Sequence, residues 1–131
     1  MLGVNMNLRV LCIDDSKSVH AFLKVCLSKV SRDVTSKYNG QEGIDTLLAD
    51  QGKFDVVFLD WEMPVKTGPE VLIEARAKGV KIPIIMLTSK NEVSDISQML
   101  QNGASEYIMK PFTEDLILQK LSELMPAGLG V

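Results

Sequence analysis

The stretch Asp55-Val56-Val57-Phe58-Leu59-Asp60-Trp61-Glu62-Met63-Pro64 decides the fold. Four consecutive apolar residues, β-branched and aromatic types among them, stand between two carboxylates. A run without polar alternation belongs to a strand covered on both faces, and such strands form the interior of parallel sheets. Val10-Leu11-Cys12-Ile13 and Ile84-Ile85-Met86-Leu87 have the same character. With two less apolar segments, they set the expected strands at 8–13, 33–37, 55–59, 83–87 and 105–109.

Helical patterns fill the intervals. Val19, Phe22, Leu23, Cys26, Leu27 and Val30 recur at the 3.6-residue period, as do Ile44, Leu47 and Leu48 in a shorter stretch. The segment 69–78 carries proline in its first turn and Gly79 past its end. Val93, Ile96, Met99 and Leu100 form the next stripe, with Gly103 as its C′ residue. Leu116, Ile117, Leu121 and Leu124 form the last, behind Thr113 as N-cap. Five strands alternating with five helices predict an α/β three-layer sandwich with right-handed crossovers. In such open sheets the working site lies beyond the C-terminal ends of the strands.

The bulk numbers narrow the function. The 131 residues suit one domain, with 46% hydrophobic and 24% charged residues. We divide the chain into an extension at 1–7, one domain at 8–125 and a tail at 126–131. A net charge of −3 without any Lys/Arg run argues against nucleic acid as partner. The N-terminus lacks a signal-peptide pattern, and no apolar stretch reaches membrane-span length, so the cytoplasm is the expected compartment. Cys12 and Cys26 lie inside hydrophobic segments without metal-type spacing and are expected as buried thiols. With His20 as the single histidine, a Ser-His or Cys-His catalytic arrangement is disfavoured.

The residues at the strand ends carry chemistry. Asp14 and Asp15 close the first strand and Asp60 the third, so neighbouring strands would bring three acids into one pocket. Like charges at close range demand a cation. An oxygen-only site with open positions suits Mg2+, which keeps waters and recruits phosphate. Thr88 follows the fourth strand and Lys110 the fifth, adding a hydroxyl and an ammonium at the same rim. Acids, hydroxyl and lysine around a divalent ion make a phosphoryl-transfer site in which a carboxylate can be the nucleophile. Asp60 is the best nucleophile, because it ends a central strand before the rigid Met63-Pro64 turn; Asp14 and Asp15 are the metal-site acids.

The pattern Asp14-Asp15, Asp60-x-x-Met63-Pro64-x-x-x-Gly68, Thr88-Ser89 and Lys110-Pro111-Phe112 resembles the receiver domain of bacterial response regulators, from about Leu8 to Leu124. That resemblance implies a flavodoxin-like (βα)5 sandwich with a parallel sheet of order 2-1-3-4-5. It implies Asp60 as phosphoacceptor. Asp15, Asp60 and the backbone carbonyl of Glu62 become Mg2+ ligands, with Asp14 acting through water. Lys110 becomes the phosphate-binding lysine before a cis Pro111, Thr88 the switch hydroxyl and Tyr107 the switch aromatic. It makes the chain a signalling phosphoacceptor rather than an enzyme, catalysing only its own phosphorylation and dephosphorylation. The implied partners are a histidine kinase or histidine phosphotransfer domain and a downstream target, such as the flagellar motor switch.

Some positions depart from the family pattern. Thr67 replaces the aspartate many receivers carry before the glycine of the Met-Pro turn. Glu62 and Lys90 flank the path of the hydrolytic water in this family, and their opposite charges could pair and tune phosphoryl lifetime. His20 stands where many relatives have arginine, and is expected on the helix surface with no catalytic part.

Trp61, Gly103-Ala104-Ser105 and Lys110-Pro111-Phe112-Thr113 are similar to the chemotaxis group of single-domain receivers. This implies a stand-alone monomer with an output surface including Ile96, Tyr107 and Leu118, the last off its helix's buried stripe. The alternatives are an intermediate carrier in a phosphorelay or the receiver of a longer regulator. A flavin-binding domain is disfavoured because Asp14-Asp15 would repel a phosphate after the first strand. A haloacid-dehalogenase-type phosphatase is disfavoured because it wants a second acid two residues after the nucleophile in a loop at the first strand, whereas Asp60-Trp61-Glu62 follows the third and the rest of that pattern is absent.

Overall fold

A computed structural model describes residues 7–125. Asn7 apart, the expected extension and tail lie outside the described residues. Ten elements alternate strictly: β1 (Arg9–Ile13), α1 (Lys17–Leu27), β2 (Asp33–Lys37), α2 (Gly40–Ala49), β3 (Val56–Asp60), α3 (Gly68–Ala77), β4 (Ile84–Thr88), α4 (Val93–Gln101), β5 (Glu106–Met109) and α5 (Glu114–Leu124). The strands pair in parallel in the order β2-β1-β3-β4-β5. Among the described residues no helix is long and apolar enough to cross a membrane.

The continuous apolar runs are explained by two cores, one on each face. Val10, Cys12, Phe58, Ile85, Leu87 and Ile108 turn toward α1 and α5, which supply Leu23, Leu27, Ile117 and Leu121. Leu11, Ile13, Val57, Leu59, Ile84 and Met86 turn the other way, onto Ile44 and Leu47 of α2 and Leu72 and Ala75 of α3. Alternate residues of each central strand therefore serve different layers. Both cysteines are buried free thiols. Burial pushes the Cys12 thiol far up, so it packs as a small apolar group.

Caps fix where four of the five helices begin. Ser16, Asn39, Thr67 and Thr113 each accept a hydrogen bond from the backbone N–H three residues on. Thr67 and Glu70 close a capping box. Glu92, at the start of α4, makes no such bond. Gly79 and Gly103 adopt positive φ just beyond α3 and α4, as their placement after the helices predicts.

Two expected stripes are narrower than their periodicity suggests. In α4 only Met99 is buried; Val93 is 82% exposed and Leu100 45%. At 100° per residue, Val93 and Leu100 lie about 120° and about 100° round the helix from Met99. Only Ile96, about 60° away, still reaches the core edge. In α1 the buried line runs through His20, Leu23, Cys26 and Leu27, leaving Phe22 47% exposed. The expectation of a surface His20 is therefore wrong. The residue is i−3 from Leu23, on the buried side, with 3% of its surface accessible.

Candidate functional site

The register delivers the predicted residues to one rim. Asp60 is the last residue of β3, opposite Leu87, and Thr88 ends β4 opposite Met109, one residue before Lys110. Asp14 directly follows β1, its N–H donating to the Lys37 carbonyl at 3.1 Å. One carboxylate oxygen from each of Asp14, Asp15 and Asp60 lies within 4.8 Å of the others. Asp15, Asp60, Thr88 and Lys110 line an open cleft of about 710 Å³, with Trp61, Glu62, Met63, Ser89 and Lys90. The cleft is large enough for an ion, its waters and a phosphoryl group.

The ammonium of Lys110 bridges two of the acids. Its Nζ donates to Asp14 Oδ2 at 2.9 Å and to Asp60 Oδ1 at 3.0 Å. Asp14 is fully buried and its other oxygen accepts the Ser16 N–H at 2.9 Å, so both oxygens are engaged by the protein. Asp15 is exposed. The Lys110–Pro111 peptide is cis, as expected.

The electrostatics follow from this packing. Burial pushes the Asp60 carboxyl above the usual carboxylate range; the Lys110 hydrogen bond opposes this, and the charges of Asp14 and Asp15 add to it. Burial pulls the Lys110 ammonium down, but its hydrogen bonds to Asp14 and Asp60, with their charges, more than offset this and leave it raised. The two shifts share a sign because Lys110 faces two acids, while burial, helped by two like charges, outweighs the one cation beside Asp60. Three carboxylates against one ammonium leave the cluster with a deficit of positive charge. An all-oxygen donor set with that deficit fits a hard divalent cation such as Mg2+.

Thr88 is buried, and its Oγ1 accepts the Lys90 N–H at 2.8 Å, so the hydroxyl hydrogen remains available. At the mouth, Lys90 Nζ lies 3.3 Å from Glu62 Oε1 and 6.0 Å from the Trp61 ring centroid. Tyr107 and Ile96 are half-buried against the α2/α3 core. Leu118 is not clear of the buried stripe: it is half-buried and packs against the α1/α5 core, because it neighbours Ile117 and Leu121 on the helix.

Two contributors escape a reading of the sequence. Ser16 serves twice, as N-cap of α1 and through its N–H to Asp14. His20 donates from Nε2 to the Asp14 carbonyl at 2.7 Å. Its helical register beside Leu23 was the available signal.

Comparison with known proteins agrees with this geometry. The family model described as response regulator receiver domain matches residues 10–122. The transcriptional regulatory protein DltR of Streptococcus agalactiae is 33% identical over 87% of this chain and 50% of its own length, so the chain spans about half of that relative. A chemotaxis protein CheY homolog of Campylobacter jejuni is 32% identical over 94% of this chain and 96% of its own. The structure of the Francisella response regulator 1452 receiver domain superposes with a TM-score of 0.82 at 27% identity, covering 92% of this chain and 98% of that one. Motif spacing, strand order, the acid cleft and the family match agree: the chain belongs to the response regulator receiver domain family.

Proposed function

We propose that this protein is a stand-alone cytoplasmic receiver that takes a phosphoryl group onto Asp60 from a phosphohistidine and then docks a target, in a chemotaxis-type pathway. The carrying observation is the single ammonium of Lys110 shared between buried Asp14 and the strand-end Asp60. In the transfer, an Asp60 carboxylate oxygen attacks phosphorus. The P–N bond breaks, its electron pair returns to the imidazole of the donor histidine, and an acyl phosphate remains on Asp60. Lys110, already 3.0 Å from Asp60, is placed to meet a phosphoryl oxygen. Asp14 holds that lysine in place.

Asp15, Asp60 and the Glu62 carbonyl would hold Mg2+; Asp14, buried with both carboxylate oxygens engaged, would act through Lys110 rather than through a water. The ion, when bound, supplies neutralising charge between carboxylates and phosphoryl oxygens. Thr88 turns its free hydroxyl hydrogen toward the new phosphoryl group. Tyr107 follows it inward, a shift between two packings of the β4–β5 edge. Ile96, Tyr107 and Leu118 belong to the surface that reads the change. Glu62 and Lys90, paired at the mouth, set the access of water to the acyl phosphate.

The chemotaxis reading leans on the likeness to the Campylobacter CheY homolog, 32% identical over 94% of this chain. The half-length match to DltR supports a second reading, the receiver of a longer regulator. Phosphotransfer from a phosphorylated chemotaxis-type kinase, followed by pull-down of flagellar switch protein, tests the first. Binding only after Asp60 phosphorylation supports it; transfer without any switch binding refutes the chemotaxis role.

A further inference from the structure

We propose that His20 is a positioning residue that sets the orientation of the Asp14-Asp15 loop and thereby the affinity of the acid cleft for its divalent ion. This rests on the reading of that cleft as a Mg2+ site. A carbonyl oxygen only accepts, so the 2.7 Å contact to Asp14 O requires the His20 ring to carry its hydrogen on Nε2. Nδ1 is buried with no partner among the described residues. The ring is held on its other side by Tyr38, with centroids 4.6 Å apart. A buried imidazole that leaves one nitrogen unsatisfied stabilises the fold poorly by itself. What it secures is the Asp14 carbonyl.

That carbonyl belongs to the peptide joining Asp14 to Asp15. Every other polar group of Asp14 is already fixed: the N–H by Lys37, Oδ1 by the Ser16 N–H and Oδ2 by Lys110. Among the described residues no backbone or side-chain donor other than His20 reaches its carbonyl. Asp14 has no accessible surface, so water cannot take over that role without a rearrangement of the loop. Turning the Asp14–Asp15 peptide would swing the exposed Asp15 carboxylate relative to Asp60. Partners one shell out from a metal ligand commonly change affinity about 10-fold to 100-fold when removed.

The test is a Mg2+ titration without phosphodonor, followed by fluorescence of Trp61, the one tryptophan of the chain, and by the amide resonances of Asp15 and Asp60. His20→Gln keeps a donor near the Nε2 position. His20→Phe and His20→Met keep apolar bulk and remove the donor. Urea midpoints monitor folding. The expected result is an affinity weakened about tenfold in both donor-less variants and restored to within about twofold by His20→Gln. Wild-type affinity in whichever donor-less variant folds, or a loss in His20→Gln as large as theirs, overturns the proposal. A wild-type chain blind to Mg2+ overturns the Mg2+ reading and the proposal together, whereas a responsive wild type with unchanged variants overturns the role of His20 alone.

Discussion

Replacing Gly68 by alanine separates space from backbone conformation at the residue that joins the turn after Asp60 to α3. Gly68 has no unusual φ, so alanine suits its backbone. Space is the obstacle: an added Cβ would sit 2.2 Å from the Asp60 carbonyl oxygen and 2.9 Å from the Trp61 Cα. Both obstacles are backbone, and the Gly68 N–H donates to the Trp61 carbonyl at 2.8 Å, so neither side can give way alone. Restoring ordinary contact at 3.4 Å or more moves the Asp60–Trp61 segment and α3 apart by about 1 Å or more. Overpacking of this kind costs about 1–3 kcal/mol, against about 0.4–1 kcal/mol gained from a stiffer unfolded chain. The net loss is about 1–2 kcal/mol, which lowers the urea midpoint by about 0.5–1 M. A reacting group misplaced by about 1 Å loses up to about 10²-fold in rate, so phosphorylation by a small acyl-phosphate donor should fall further than stability does. Gly79→Ala is the control. Its Cβ meets nothing within 4 Å but its φ is +86°, so it should lose about 1 kcal/mol and keep the wild-type phosphorylation rate. Wild-type stability and rate in Gly68→Ala would refute the reasoning.

Three further outcomes are expected. Lys110→Ala removes the cation that partly neutralises Asp14 and Asp60. Mg2+ should then bind about tenfold more tightly, a fraction of the roughly 4 kcal/mol between unit charges 4 Å apart at an effective dielectric of 20, while phosphorylation of Asp60 slows; a weaker Mg2+ affinity would contradict the charge argument. Glu62→Ala and Lys90→Ala should change the dephosphorylation half-life by more than about twofold with unchanged urea midpoints, because the pair is exposed and contributes little to stability; unchanged half-lives would reduce it to a surface contact. The Arg9 hydrogen bonds hold the Asp55 carboxyl below the usual range, outweighing its partial burial. A depressed folded value means that the unfolded chain takes up protons first on acidification, so this stabilisation is present above about pH 4 and lost as pH falls through the folded value. Asp55→Asn should therefore be less stable than wild type at neutral pH and converge with it in acid, as denaturation across that range would show.

Much of the fold was legible because burial on both faces leaves strands with no polar alternation, as in Val56–Asp60 and Ile84–Thr88. The acid cleft was legible for a related reason: short strands end at one rim, and Asp14, Asp15, Asp60, Thr88 and Lys110 all follow or close a strand. Periodicity failed where a helix touches the sheet along a narrow line, as at Val93 and Phe22, since it reports an apolar face but not how wide a strip the neighbours cover. Contacts between side chains and distant backbone leave no pattern at all. The Arg76 guanidinium donates to the carbonyls of Val80, Ile82 and Gly103, tying α3 to the entries of β4 and β5. A Cβ on Gly40 would sit 2.0 Å from the Lys66 carbonyl oxygen, an approach between the start of α2 and the β3–α3 loop. His20 belongs to the same class. Its place at a position where many relatives carry arginine suggested the surface, and only the fold shows the carbonyl it serves.

The measurement that bears most directly on the account is the intact mass of wild type and Asp60→Ala after incubation with Mg2+ and a small acyl-phosphate donor. The account predicts a single phosphoryl adduct on the wild type, none on Asp60→Ala, and none on either chain when the divalent ion is chelated. No adduct on the wild type, or an equal one on Asp60→Ala, would contradict it.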